Sequence, residues 1–277
     1  MECVTDSIDF NALMENQVIV DNCSVEMVSS KIIFQGKGNV VCFCGDAGSG
    51  HLQIMKSVIE CKGDNNLIVI RSSKYPLKCK LSAGYGCTIY LGRDFWATTS
   101  VIIAANECAS VHFGDDALLA REISVRTSDM HMIYDIASQR RINPNRSVYV
   151  GEHVWIGQNT GIMKGAVIGS GSIIGWGSLV GGGTGRVNSI YVGRPASLTR
   201  EGITWRHKGS NSITEEQVSK CVYDTLRDRK FIYTQEEMDE RKAEWEFGLA
   251  QAENVEERLA FVLDYSRPDA PGAPGQV

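Results

Sequence analysis

No run of apolar residues in this 277-residue chain is long enough to cross a bilayer. The opening Met1-Glu2-Cys3-Val4-Thr5-Asp6 also lacks the charged-then-apolar order of a secretory signal. No Cys-x-x-Cys pair occurs among the nine cysteines, and their number is odd, so a disulfide framework is not expected. Reduced thiols in a cytoplasm fit better, and cytoplasmic is the expected location. Cys42 and Cys44 are expected to share one strand face as filler. Positive charge is not in excess either. The net charge of −5 and a pI near 5.6 exclude a dominant role in gripping phosphate backbones, so no nucleic-acid partner is expected. The glycine-rich Gly45-Asp46-Ala47-Gly48-Ser49-Gly50 has no Lys-Ser/Thr end and is read as a turn, not a phosphate loop. Gly175-Trp176-Gly177 opens no helix and is no dinucleotide fingerprint.

What is present is a ladder. Val150, Ile156, Ile162, Ile168, Ile174 and Val180 stand at a fixed six-residue spacing, and all but Ile162 are followed by Gly. Chance would give such a register on the order of once in fifty thousand starts. Two positions before each stands Val148, Val154, Thr160, Ala166, Ser172 or Ser178, again small or β-branched. A period of six signals a parallel β-helix. Residues two apart on a strand share a face, so each pair points into the coil while Tyr149 or Trp155 between them points out. The glycine is expected to give the chain its tight corner. The register extends upstream through Ile89/Leu91, Phe95/Ala97, Val101/Ile103, Val111/Phe113, Ala117/Leu119 and Ile123/Val125. Stretches such as Ile32–Phe34, Val40–Phe43 and Leu67–Ile70 read as irregular first coils. The fold class is mainly β, a β-solenoid.

The segmentation follows from where the ladder stops. Residues 1–30 are expected to be an entry segment or cap, and 31–205 the solenoid. A polar insertion at 127–146 interrupts it, and Gly181-Gly182-Gly183-Thr184-Gly185 ends the regular coils. Thr214-Glu215-Glu216-Gln217 and Thr234-Gln235-Glu236-Glu237 are capping boxes, so 213–230 and 234–264 read as helices within an extension over 206–266. Residues 267–277, rich in Pro and Gly, are expected to be disordered.

A loop that breaks a strict repeat is where function is expected. The insertion holds Ser128-Asp129-Met130-His131, then Tyr134-Asp135 and Arg141-Ile142-Asn143-Pro144; Val154-Trp155-Ile156-Gly157 and Gly193-Arg194-Pro195-Ala196 follow. His131 is its only histidine, and imidazole titrates in the range useful to a general base. An ordinary exposed loop histidine is the alternative. Asp129 either orients that ring or caps a turn. Trp155 points outward, and an exposed tryptophan marks a contact, either with a reacting group or with another subunit.

These motifs resemble the hexapeptide-repeat, left-handed β-helix acyltransferases. Within that superfamily they are most similar to bacterial capsule and exopolysaccharide O-acetyltransferases, polysialic-acid-type enzymes included. The likeness is good from Ile89 to Arg200, weaker from Ile32 to Cys87, and absent from the helical tail. It implies a left-handed coil, acetyl-CoA as co-substrate, a carbohydrate acceptor bearing a hydroxyl, and sites between the subunits of a homotrimer. It further implies His131 as base and Trp155 as a donor to the thioester or developing oxyanion, with Asp129 beside them. Lys164, Gly165, Ala166, Trp176, Gly177, Ser178, Arg194, Pro195, Ala196 and Arg200 would line the coenzyme, and Tyr134, Asp135, Arg141 and Asn143 the acceptor. Family members often carry a small residue where this chain has Trp176. The competing readings are N-acetylation of a nucleotide-linked amino sugar, a non-catalytic scaffold, and a zinc-dependent carbonic anhydrase. The last needs three converging histidines, and His51, His112, His131, His153 and His207 offer no pair on matching coil positions. No metal is expected.

Overall fold

The computed structural model describes residues 1–5, 13–46, 50–183, 185–207, 214–216, 218 and 229–266. The chain winds into a parallel β-helix with three faces. Face I carries Gln17–Asp21, Val40–Cys44, Leu67–Arg71, Thr88–Leu91, Ser110–Phe113, Val148–Val150 and Val167–Ile168. Face II begins with Cys23–Val28 and Gly50–Met55 and continues with Trp96–Ala97, Leu118–Leu119, Trp155–Ile156, Ile173–Ile174 and Ile190–Val192. Face III holds Lys31–Phe34, Val58–Cys61, Cys79–Ala83, Val101–Ala105, Ser124–Arg126, Gly161–Ile162 and Leu179–Val180. Glu2–Thr5 closes the start of face III antiparallel to Lys31–Phe34, and Ser197–Arg200 closes the end of face II antiparallel to Ile190–Val192. Parallel pairing begins at Gln17, so coil stacking already runs through the segment expected to be a cap.

The inward positions are those that the ladder marks. Val148, Val150, Val154, Ile156, Ile162, Ala166, Ile168 and Ile174 are all within 1 % of complete burial, continuous with Phe95, Phe113, Val125 and the upstream coils. One coil could not exclude water from this column; stacked coils do. The corner glycines work differently from the expectation. Positive φ falls two residues later, at His153, Asn159, Gly171 and Gly177, and not at Gly151, Gly157 or Gly169. Those three glycines supply space: a Cβ on Gly169 would stand 2.4 Å from the carbonyl carbon of Arg186, and one on Gly157 would stand 2.7 Å from the backbone nitrogen of Trp176. Buried asparagines add a second ladder. Asn39 donates to Asn16 Oδ1 at 2.8 Å, and Asn66 donates to Asn39 Oδ1 at 2.9 Å, so backbone that leaves one face is satisfied before it joins the next.

Two helices, α1 (Gln235–Gln251) and α2 (Val255–Tyr265), cover the outer side of face I. The capping box at Thr234 forms as the sequence predicts, Thr234 Oγ1 accepting from the Glu237 amide while the Glu237 carboxylate accepts from the Thr234 amide. Trp245 and Tyr265 pack on Tyr90, His112 and Tyr149, outward residues of successive coils, and His112 lies parallel to Tyr149 with ring centroids 4.4 Å apart. Tyr149 thus faces out of its coil, as predicted, yet is buried. Cys42 and Cys44 do share a face, but they fill the seam beneath the helices and not the coil interior. Arg258 and Arg71 fasten the helices, the first donating to the Gly86 carbonyl at 3.0 Å and the second to Ser266 Oγ at 2.6 Å. The helix read over 213–230 and the tail 267–277 lie mostly or wholly outside the described residues. Among the described residues no helix is long and apolar enough to cross a membrane.

Candidate active site

The insertion leaves the solenoid at the vertex where face III passes to face I, between Arg126 and Val148. Its base is closed by the Arg146 amide donating to the Thr127 carbonyl at 3.0 Å. It then folds into an open hairpin, with Tyr134 bridged to Arg141 and the Ile142 amide donating to the Ile133 carbonyl at 2.9 Å. Asp135 turns its tip by accepting from the Ser138 amide at 2.7 Å, and hydrogen bonding from the Ser138 side chain, then its amide, holds the carboxyl below the ordinary carboxylate range.

His131 is exposed on this loop, and its carbonyl is held by the Asn143 side-chain amide at 2.8 Å. That amide also donates to Asp129 Oδ2 at 2.9 Å, while Asn143 Oδ1 accepts from the Ile133 amide at 2.7 Å. Asp129 does not orient the His131 ring. Its carboxylate is bound by Lys164 Nζ at 2.5 Å and by Asn143, and these two contacts lower its pKa. Three further expectations change with it. Lys164, expected at the coenzyme, is committed to Asp129. Arg141, expected at the acceptor, makes a two-pronged pair with Glu107 at 2.7 and 2.9 Å, and Asn143 is buried. Asp129, Lys164, Arg141 and Asn143 therefore brace the loop that presents His131. Of the expected acceptor contacts, Tyr134 stays exposed, its hydroxyl on Met132 Sδ at 3.2 Å.

Trp155 points outward from face II between Leu118 and Ile173, and is 40 % exposed. Its ring lies 5.9 Å from that of Trp205, which belongs to the segment returning along this side. In a three-faced prism the vertex between faces III and I is opposite face II. One chain therefore holds His131 and Trp155 on opposite sides and does not bring them together.

The expected coenzyme contacts divide between two vertices. Gly165 and Ala166 sit with Lys164 at the III/I vertex, one coil beyond the loop; Ala166 is fully buried and Gly165 takes φ 77°. Trp176, Gly177 and Ser178 form the II/III vertex, where Trp176 is 75 % exposed. Arg194 joins them by donating from Nε to the Gly177 carbonyl, and the Ala196 amide donates to the Leu179 carbonyl at 2.8 Å. Ser178 is buried and spends its hydroxyl on the Gly175 carbonyl at 2.7 Å. Arg200 and Pro195 are exposed on the closing hairpin. Face III lies between the two groups.

The third vertex, between faces I and II, holds a group that the sequence reading missed. Asp116 bonds His153 Nδ1 at 2.7 Å through one oxygen and His207 Nε2 at 2.9 Å through the other. Removing the insertion in thought puts Asp116 and His153 on the same corner of consecutive coils, which was a usable signal. His207 lies beyond the repeat and gave none. Nearby, Glu152 is pushed up to about 8 by burial and the Asp115 carboxylate.

Residues 147–184 match the family described as bacterial transferase hexapeptide (six repeats). Two curated relatives are polysialic acid O-acetyltransferases. The one from Neisseria meningitidis is 29 % identical over 101 residues, 36 % of this chain and 46 % of that protein. The one from Escherichia coli O1:K1 / APEC is 33 % identical over 77 residues, 28 % of this chain and 25 % of that protein. The chain thus spans less than half the length of the curated relatives it matches. Among solved structures, the polySia-specific acetyltransferase NeuO superposes with a TM-score of 0.59 at 27 % identity, covering 76 % of this chain and 99 % of that one. The polysialic acid O-acetyltransferase OatWY gives 0.55 at 23 %, covering 76 % and 100 %. The fold is the left-handed parallel β-helix, and the sequence resemblance to hexapeptide-repeat acyltransferases is borne out.

Proposed function

We propose that this chain is an acetyl-CoA-dependent O-acetyltransferase acting, in the cytoplasm, on a hydroxyl of a bacterial capsular or surface polysaccharide. A sialic-acid-containing polymer is the acceptor class that the similar enzymes favour. The observation that carries the reading is the loop at the III/I vertex: a rigidly braced insertion whose imidazole is left open to an incoming group. The site is completed by an adjacent copy in a homotrimer. His131 and Trp155 lie on opposite sides of one prism, and the loop exposes Met130, Met132, Ile133, Ile136 and Ile142, with Ile136 at 95 %. An apolar tip of that size needs a surface to cover it, and the exposed Trp155 side of a neighbour offers one.

Acetyl-CoA supplies the acyl group as a thioester. His131 takes the proton from the acceptor hydroxyl as its oxygen attacks the thioester carbonyl carbon, which avoids a free alkoxide near neutral pH. The indole N–H of Trp155, a donor only, is suited to the oxygen that gains charge. The carbon–sulfur bond then breaks, and the imidazolium returns its proton to the departing sulfur. Arg194 and Arg200, both exposed, supply positive charge for the coenzyme phosphates on an otherwise acidic chain. A thiol-release assay with wild type and His131→Ala tests this across sialic acid polymers and nucleotide-linked amino sugars. Release should follow the polysaccharide and vanish in the variant. Full activity of His131→Ala would remove the base assignment, and release only with amino sugars would remove the O-acetyl assignment.

A further inference from the structure

The cluster at the I/II vertex has no part in the proposed acetyl transfer, and its hydrogen-bonding pattern needs an explanation. His153 Nε2 stands 3.0 Å from the Trp205 carbonyl, which can only accept, so this nitrogen carries a hydrogen. In a neutral ring Nδ1 is then a lone pair, and it is aimed at an Asp116 carboxylate oxygen 2.7 Å away. Two acceptors at that separation need a proton or a cation between them. His153 is fully buried, with the Trp205 and Phe231 rings stacked on it at centroid distances of 4.0 and 3.6 Å. His207 Nε2 approaches the second oxygen at 2.9 Å, while its Nδ1 is buried with no partner among the described residues. The ring packs among Tyr75, Trp96 and Trp205, and the contact at Nε2 sets which nitrogen faces Asp116.

A divalent cation satisfies these atoms together. The three ligand atoms lie within 4.8 Å of one another. Ligand atoms about 2.1 Å from a tetrahedral ion stand about 3.4 Å apart, so the Asp116 contacts to the two histidines, 2.7 and 2.9 Å, would each open by several tenths of an ångström on binding. Two imidazoles and a carboxylate suit zinc and its first-row neighbours. The His153 Nε2–H on a backbone carbonyl is the outer contact that ligating histidines make to fix their tautomer. The donors come from three separated stretches of chain, two consecutive corners and the returning segment, so the fold and not a local motif assembles them.

We propose that Asp116, His153 and His207 bind one first-row divalent cation, zinc foremost, which pins the returning segment to the coils. The segment is already threaded there by the Trp205 indole, which donates to the His153 carbonyl at 2.9 Å and borders Trp155. The ion would thus support the face that carries Trp155. This site is partly buried, within one chain, and built from two histidines and an aspartate, unlike the three histidines at a subunit interface that a carbonic anhydrase requires.

The test uses the full chain without a histidine tag. Metal content is read by elemental analysis after purification. The protein is then stripped with dipicolinate and titrated with zinc chloride by calorimetry, beside His207→Gln, whose amide can still donate to Asp116. Wild type should take up about one zinc per chain, and His207→Gln should bind at least 10–100-fold more weakly. Zinc should raise the melting temperature of the stripped wild type and not of the variant. Stripped wild type that takes up no zinc, or a variant that binds as tightly as wild type, would overturn the site. In that outcome Asp116 is held by its hydrogen bonds to the two imidazoles alone. If the variant does not fold, the wild-type titration alone decides.

Discussion

Mixing two inactive chains tests whether the site lies between subunits. His131→Ala removes the base but leaves Trp155, and Trp155→Ala removes the indole donor but leaves the loop. Loss of a positioned general base costs typically 10²–10⁴-fold, and loss of one oxyanion donor about 10²–10³-fold, so each pure variant should be nearly silent. The loop lies at the III/I vertex and Trp155 on the opposite face, so every working site pairs one chain's loop with a neighbour's face II. When the two variants assemble at random in equal amounts into a cyclic trimer, about a quarter of the sites pair an intact His131 with an intact Trp155. The assay is thiol release by co-expressed chains, with each variant expressed alone as the baseline. Recovery to about a quarter of wild-type activity is the expected result. Co-assembled chains that remain silent would refute the reasoning, because a site contained within one chain always lacks one of the two groups.

Other consequences follow from the contacts around the site and the core. Asp129→Ala frees Lys164 and one arm of Asn143, so kcat/KM should fall about 10–100-fold through misplacement of His131 while the melting temperature barely moves. Trp245→Ala opens a cavity against Tyr90, His112 and Tyr265 and should cost about 3–5 kcal/mol in denaturant unfolding. Glu152 titrates near 8 in the folded chain, against an ordinary 4.5, because burial and Asp115 favour its neutral form. Its contribution to stability is therefore complete below pH 4.5 and is lost as pH rises through about 8. Glu152→Gln should melt with wild type at pH 4.5 and a few degrees above it at pH 9; equal melting at both would contradict the shift.

The inward columns were legible because a strand's alternation and a coil's length leave one inside position for each aliphatic residue. The loop was legible as the place where that count fails. Outward residues carry no such signature. Nothing in the alternation separates Tyr149, which the helices bury, from Trp155, which stays open. The roles of Asp129, Lys164, Arg141 and Asn143 were hidden for a related reason. Glu107 and Arg141, or Asp129 and Lys164, meet only because successive coils stack edge on edge, and long side chains choose partners across that rise. By sequence Arg141 suits the acceptor, Lys164 the coenzyme and Asp129 the histidine, whereas the fold uses all three to hold the loop. The Asp116–His153 pair carries no signature among the histidines, because the residue matching His153 on the preceding corner is a carboxylate.

The most direct measurement of the central claim is the chemical form of the product. The chain is incubated with acetyl-CoA carrying a ¹³C-labelled carbonyl and with sialic acid polymer, and the polymer is examined by NMR before and after mild alkali. An acetyl ester on a ring or side-chain oxygen, absent with His131→Ala and removed by alkali, is the predicted result. An alkali-stable amide, or an unlabelled polymer beside a labelled amino-sugar nucleotide, would contradict it.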